Sequence, residues 1–154
     1  MIVDLMTTDG LRLSFDRDDD STGRLTAEAQ SGGFRGWGSA WFVVDELRGF
    51  AQALRAYPLS KESPPSIAGG FYFDARLDQV HLALDVYPVG GRGQIGLRIR
   101  VGSEVWDRDR PESRHEATIE VLSTYARLER FSREIDDLLS GAASEARLHV
   151  EHLL

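Results

Sequence analysis

Residues 80–86, VHLALDV, and residues 95–101, IGLRIRV, decide the fold class of this chain. In both stretches every second residue is aliphatic, which is the period of a β-strand that buries one face. Residues 90–93, GGRG, lie between the two stretches and supply the glycines of a hairpin turn. The sequence therefore predicts two neighbouring antiparallel strands whose other face meets water.

The same alternation predicts further strands on both sides of this pair. Apolar and polar residues alternate over residues 11–15, 25–29 and 117–121, and residues 67–73 carry apolar side chains on one face with glycines between them. Several short strands with turns between them are typical of an antiparallel sheet built as a meander.

Residues 34–44 differ from these strands because apolar side chains fall on both faces. Trp37 and Trp41 share one face, and Gly36 and Gly38 thin the other. Such a strand is typical of the covered interior of a sheet, so we expect Trp41→Ala to cost about 3–5 kcal/mol of stability. The alternative is an exposed aromatic platform, since tryptophan is enriched at binding hot spots.

Two stretches have apolar residues at the spacing of a helix face instead. The first begins at a predicted N-cap, Asp45, and ends before Pro58. Its apolar face consists of Leu47, Phe50, Ala51 and Leu54. The second begins near Ser123 or Thr124 and ends at Gly141, a residue type that commonly follows the last turn of a helix.

These elements predict an α+β fold, with a curved antiparallel sheet of about six or seven strands and two helices packed on one face. A chain of 154 residues is expected to form a single domain, residues 1–154. For the tail, residues 142–154, the pattern leaves open a short helix or a loosely ordered extension.

Composition excludes several functional classes. The chain has 18 basic and 25 acidic residues and a net charge of -7, which argues against a general nucleic-acid binder because phosphates demand clustered cations. It has no cysteine, so disulfides, thiolate zinc sites and cysteine nucleophiles are excluded. A secretory signal and a membrane-spanning run are missing from the sequence, and we expect a soluble cytoplasmic protein.

Two motifs resemble ligand-binding loops but lack what such loops need. Residues 91–96 match GxGxxG, yet a dinucleotide site requires a helix after the glycines and here a strand follows. Residues 16–20, DRDDD, begin like a calcium loop, but Ser21 and Ala27 stand where that loop requires glycine and glutamate. We therefore expect two ordinary turns, with no cofactor and no metal.

Histidine and serine patterns indicate no catalytic centre. His81, His115, His149 and His152 form no HExxH motif, and His81 is predicted on the water-facing side of its strand. The stretch GWGSA at 36–40 does not match the GxSxG pattern. We expect a protein without enzyme activity.

The candidate partner-binding residues lie in two charged segments. The first is an acidic turn and the second a loop around a tryptophan. Their residues are Asp16, Asp18, Asp19 and Asp20 in the turn, and Trp106, Asp107, Asp109 and Glu112 in the loop. An aromatic anchor within a charged rim is the usual anatomy of a protein interface. The excess of negative charge favours a basic partner.

The order of several motifs resembles a known family. LRL at 11–13, GFRG at 33–36 leading to Trp41, the helix after Asp45, and GQIGLRI at 93–99 before a last strand and a closing helix follow one another. This order resembles the WapI-type immunity proteins of bacteria, which are associated with contact-dependent toxin systems. The resemblance implies a protein that binds and inhibits a cognate toxin domain without catalysis.

Three functions stay open on the sequence alone. The first is a non-catalytic protein-binding domain, such as an immunity protein that neutralises a toxin. The second is a small-ligand-binding or oligomer-forming domain. The third is a small hydrolase built from scattered carboxylates with His81 or His115. The absence of a catalytic motif favours the first, and the oligomeric state is left open.

Overall fold

A computed structural model describes residues 8–18 and 21–150 of the chain. In this part the chain forms eight strands and two α-helices, with one short 3-10 turn at Pro111–Ser113. The strands are β1 (Gly10–Arg17), β2 (Thr22–Ser31), β3 (Phe34–Val43), β4 (Ser66–Phe73), β5 (Arg76–Val89), β6 (Gln94–Gly102), β7 (Glu116–Thr124) and β8 (Ala146–His149). The helices are α1 (Val44–Ala53) and α2 (Tyr125–Ser140). The predicted α+β class is confirmed.

The strands form two sheets, where the sequence predicts one. The first sheet has the order β3-β2-β1-β8 and the second the order β4-β5-β6-β7. Every pair of neighbours is antiparallel. Alternation shows which residues of a strand share a face but not which strands hydrogen-bond to each other, and for this reason the division into two sheets is invisible in the pattern.

The two sheets pack face to face, with β3 lying across the second sheet at very short distance. A Cβ atom on Gly38 would stand 2.2 Å from the carbonyl oxygen of His81, and one on Gly36 would stand 2.8 Å from a methyl carbon of Val101. From the other side, a Cβ on Gly69 would stand 2.9 Å from that of Ala40. Only glycine leaves room for a backbone to approach this closely.

Both helices contribute to the same hydrophobic core as the two sheets. In α1 the N-cap is Val43, which corrects the prediction of Asp45; Asp45 lies in the first turn and forms an ion pair with Arg48 at 3.2 Å. In α2 the Thr124 hydroxyl accepts a hydrogen bond from the Arg127 amide at 3.2 Å, and Gly141 ends the helix with a φ of 85°, as predicted.

Part of the C-terminal segment forms a strand, which the sequence pattern does not predict. Residues 146–149 form β8, which pairs with β1 and buries Ala146 and Leu148 completely or nearly so. The Ser123 hydroxyl donates to the His149 carbonyl at 2.8 Å, and the Arg147 amide donates to Glu134 at 3.0 Å. A four-residue strand is too short to show a period, so only its partner β1 reveals it.

Candidate functional site

All three tryptophans of the chain are exposed. The exposed fractions of their side chains are 67% for Trp37, 60% for Trp41 and 77% for Trp106. The predicted burial of Trp41 is therefore wrong. Its strand, β3, lies at an edge of the first sheet, and only the face with Gly36 and Gly38 is covered by the second sheet.

The outer face of β3 carries Trp37, Ser39 and Trp41 in alternating positions. Arg24 of the neighbouring β2 is the register partner of Trp41, and its Nε donates to the Ser39 hydroxyl at 3.1 Å. The Arg24 Nη2 lies 3.6 Å from a carboxylate oxygen of Glu104. We call these residues, Trp37, Ser39, Trp41 and Arg24, the tryptophan edge. The Arg24 guanidinium lies at Ser39, the residue between the two tryptophans on this face.

A cleft of about 500 Å³ runs beside the tryptophan edge, where β3 passes the ends of β6 and β7. Its walls combine an aromatic ring with hydroxyl groups and charges of both signs. The polar and aromatic side chains that line it are Arg24, Arg35, Trp37, Ser39, Ser103, Glu104, His115 and Glu116. The cleft is open on one side, and the loop between β6 and β7 forms its far wall.

That loop, residues 103–115, is called the Trp106 loop. The Trp106 ring packs against Phe71 of β4 with centroids 4.4 Å apart, and the Arg108 guanidinium lies 3.7 Å above the Phe73 ring. Tyr72 and Phe73 are themselves 63% and 49% exposed. The exposed rings of Tyr72, Phe73 and Trp106, with the stacked Arg108, thus form a second exposed surface near the start of the loop.

The cations of the Trp106 loop are engaged within the protein. Arg108 stacks on a ring, Arg110 pairs with Glu112 at 2.8 Å, and Arg114 pairs with Glu116 at 2.8 Å. Hydrogen bonds from its own backbone amide and from Arg110 lower the pKa of Glu112, so this carboxylate stays ionised.

Asp107 and Asp109 differ from Glu112 because they pair with no cation of residues 8–18 or 21–150. The Asp107 carboxylate accepts a hydrogen bond from the Asp109 amide at 3.0 Å. Of the predicted loop residues, these two present negative charge beside the exposed Trp106 without a cation that neutralises it.

The predicted acidic turn is only partly described. Asp16 is an exposed residue of β1 and the register partner of Arg24, which in turn reaches Glu104 of the Trp106 loop. The Asp18 amide donates to the Thr22 carbonyl at 3.0 Å, closing the turn between β1 and β2. Asp19 and Asp20 lie outside the described residues. Arg24 thus links the strand that leads into the acidic turn with the loop.

His81 is buried, which corrects the prediction that it faces solvent; its side chain is 2% exposed. Its Nε2 lies 2.5 Å from Oε1 of Gln79, and its ring meets Phe71 edge-on with centroids 4.4 Å apart. Burial lowers the pKa of His81; the Arg114 guanidinium acts in the same direction and the Glu104 carboxylate against it. Periodicity fails here because β5 is covered on both faces, by β3 and by the Trp106 loop.

Sequence reasoning missed Gln79, Arg24 and the aromatic run at 71–73. The run FYF, with large apolar residues on both faces of one strand end, was the available signal for an exposed aromatic surface. Gln79 and Arg24 carry no such signal, because their roles depend on residues 26 and 80 positions away in the chain.

The GxGxxG stretch forms the hairpin turn and strand that the sequence predicts. Residues 91–96 form the turn of the β5–β6 hairpin and the first residues of β6, and positive φ angles occur at Gly90 and Gly93. Among residues 8–18 and 21–150, no group of three or more histidine and acidic side chains has the arrangement of a metal site. No helix in the same part of the chain is long and apolar enough to cross a bilayer.

Comparisons with known proteins give no family. No protein-family model matches the chain, and no curated protein and no solved structure matches it either. The function must therefore be inferred from the geometry of the tryptophan edge, the cleft and the Trp106 loop.

Proposed function

We propose that this chain is a non-catalytic protein-binding domain that neutralises a basic partner, in the manner of an immunity protein bound to its toxin domain. One observation carries the proposal: every tryptophan is exposed, Trp37 lines the cleft that the Trp106 loop borders, and Trp41 lies on the same face of β3 as Trp37. The resemblance to WapI-type immunity proteins supports the same role.

Exposure of the three tryptophan side chains forgoes free energy that their burial would contribute to folding. Burying a large apolar side chain contributes about 1.5–3 kcal/mol, and Trp37, Trp41 and Trp106 forgo most of that contribution in the free protein. Tryptophan is also enriched among the few residues that dominate binding free energy in interfaces. A partner that covers these rings recovers the contribution on binding.

The negative charges near Trp106 favour a basic partner. Asp107 and Asp109 stand beside Trp106 without a cation among the described residues, and the whole chain carries a net charge of -7. Such a surface attracts a basic protein and speeds its association, an effect that salt weakens. Toxin domains that act on nucleic acids present basic surfaces, because they must bind phosphates.

The experiment measures association rate against ionic strength. The partner to be used is the protein encoded directly upstream of this chain's gene, since an immunity gene directly follows its toxin gene. We expect Asp107→Lys/Asp109→Lys to slow association at low salt by about tenfold and to flatten the salt dependence. The melting temperature should stay unchanged because both side chains are exposed.

A matched control carries the same change in charge elsewhere. Glu62 and Asp137 are exposed residues of the loop before β4 and of α2, and Glu62→Lys/Asp137→Lys should change the association rate much less. Equal rates for both double variants would show that only the net charge matters and would remove the loop from the interface. Failure of the upstream protein to bind at all would refute the proposed function.

The cleft favours a second candidate function, the binding of a small molecule. Its volume of about 500 Å³ falls in the usual range of ligand sites, and Trp37 offers a flat surface next to hydroxyl groups and both signs of charge. A thermal-shift screen of small aromatic and zwitterionic compounds tests it. A rise in melting temperature that Trp37→Ala abolishes would favour this function over protein binding.

A further inference from the structure

Gln79 of β5 holds the start of the Trp106 loop through both ends of its side-chain amide. Its Nε2 donates to the Val105 carbonyl at 3.1 Å, and its Oε1 accepts from the Val105 amide at 2.8 Å. One side chain thus satisfies both backbone groups of the residue that precedes Trp106. This pairing imitates a neighbouring strand at a point where the loop has left the sheet.

His81 makes a third hydrogen bond to that amide. The two bonds to Val105 determine which end of the Gln79 amide is oxygen, and that oxygen also faces His81 Nε2 at 2.5 Å. Since the amide oxygen can only accept a hydrogen bond, His81 must carry its hydrogen on Nε2. The same ring touches Phe71, on which Trp106 packs, so His81 supports Trp106 by two separate contacts.

The far end of the loop is tied to the same stretch of β5. The Arg114 guanidinium donates to the carbonyl of Val80, the residue between Gln79 and His81. Three consecutive residues of one strand therefore hold both ends of the Trp106 loop. We infer that Gln79, held by its hydrogen bonds to Val105 and His81, is the positioning residue that keeps the Trp106 loop docked against β5 and so fixes Trp106, an inference that rests on the proposed function of this loop.

This arrangement has a consequence for the dependence on pH. With the loop docked, protonation of His81 places a charge in a buried site that faces Arg114 and Glu104, and burial keeps the pKa below its usual value of 6.5. With the loop undocked, water reaches the imidazole and it protonates near pH 6.5. Between the two pKa values the undocked state binds more protons, so falling pH favours undocking.

The test uses amide hydrogen exchange of the free wild-type protein, followed by NMR from pH 7.5 to pH 5. We expect the protection of the Val105 amide to be full above pH 6.5 and to fall below it. The amide of Leu97, in the centre of the second sheet, should keep its protection and so reports on global unfolding. Parallel loss of protection at Val105 and Leu97, or no loss at Val105, would overturn the inference.

Variants separate positioning from general stability. Gln79→Ala should remove the protection of Val105 at every pH, whereas Gln52→Ala on the exposed side of α1 should not. His81→Gln should abolish the change of Val105 protection with pH, and His149→Gln, at an exposed histidine outside the loop, should retain it. If Gln79→Ala fails to fold, the wild-type titration and the His81→Gln series still decide the outcome.

The exchange experiment is independent of any partner. Loss of Val105 protection as expected, together with no binding of the upstream protein, would refute the proposed function and leave the positioning role intact. Binding of that protein with no change in protection would refute the positioning role alone. In a complex that forms, we further expect Gln79→Ala to weaken binding at neutral pH while Asp107 and Asp109 retain the salt dependence.

Discussion

The two faces of β3 invert the usual distribution of side chains. The face against the second sheet carries Gly36, Gly38, Ala40 and Phe42, and the face toward water carries Trp37 and Trp41. Phe42 is 4% exposed and Trp41, its neighbour in the chain, is 60% exposed. In an ordinary half-buried strand the larger residues would face the core.

The difference shows that distance between layers decides which residues a core can hold. Where β3 crosses β5 and β6, the backbones are too close for any side chain, and glycine is the only solution. Further along, opposite Gly69, there is room for Ala40 and Phe42. The inner face has no room for a tryptophan at Gly36 or Gly38, so burial in the core does not account for the two rings on the outer face.

The largest expected effect separates the two faces directly. Phe42→Ala should lower the free energy of unfolding by about 3–5 kcal/mol, because it opens a cavity in the core. Trp41→Ala should change it by less than about 1 kcal/mol, because its ring is mostly exposed. Chemical denaturation of both variants gives the comparison. A large loss for Trp41→Ala would show that the ring supports the fold and would weaken the case for a binding surface.

A smaller effect concerns the glycines of the inner face. Gly38→Ala should destabilise the fold by about 1–3 kcal/mol, since the new Cβ would stand 2.2 Å from the His81 carbonyl oxygen. The control is Gly49→Ala in α1, where nothing lies within 4 Å of the new methyl group and a gain of up to about 1 kcal/mol is expected. Equal denaturation midpoints for the two variants would mean that the sheets do not approach this closely.

The smallest effect concerns the ion pair across the tryptophan edge. Arg24 and Glu104 are 3.6 Å apart, with side chains 45% and 37% exposed. A double-mutant cycle with Arg24→Gln and Glu104→Gln should give a coupling of about 0.2–1 kcal/mol. A coupling well above that range would show that the outer face of β3 also stabilises the fold. It would then weaken the contrast between the two faces.

The candidate site was predictable in its exposed parts and not in its supports. Trp106, Asp107 and Asp109 lie in a polar segment without periodicity, and exposure follows from that composition. The positions of Gln79 and His81 beneath the loop were not predictable, because an alternating pattern places His81 on a polar face and cannot show that a distant loop covers it. The buried histidine therefore appears in the sequence as a surface residue.

The spacing of neighbouring residues was sufficient to predict the class of fold, the strands with clear alternation, both helices, the start of α2 near Ser123 or Thr124 and its end at Gly141. These features depend on residues within a few positions of one another, whose spacing sets a local period or a cap. Other features follow only from tertiary packing: the division into two sheets, the pairing of β8, the burial of His81 and the exposure of Trp41. Each of these depends on which distant segment packs against a face, and a face that is apolar in sequence is buried only where another layer covers it.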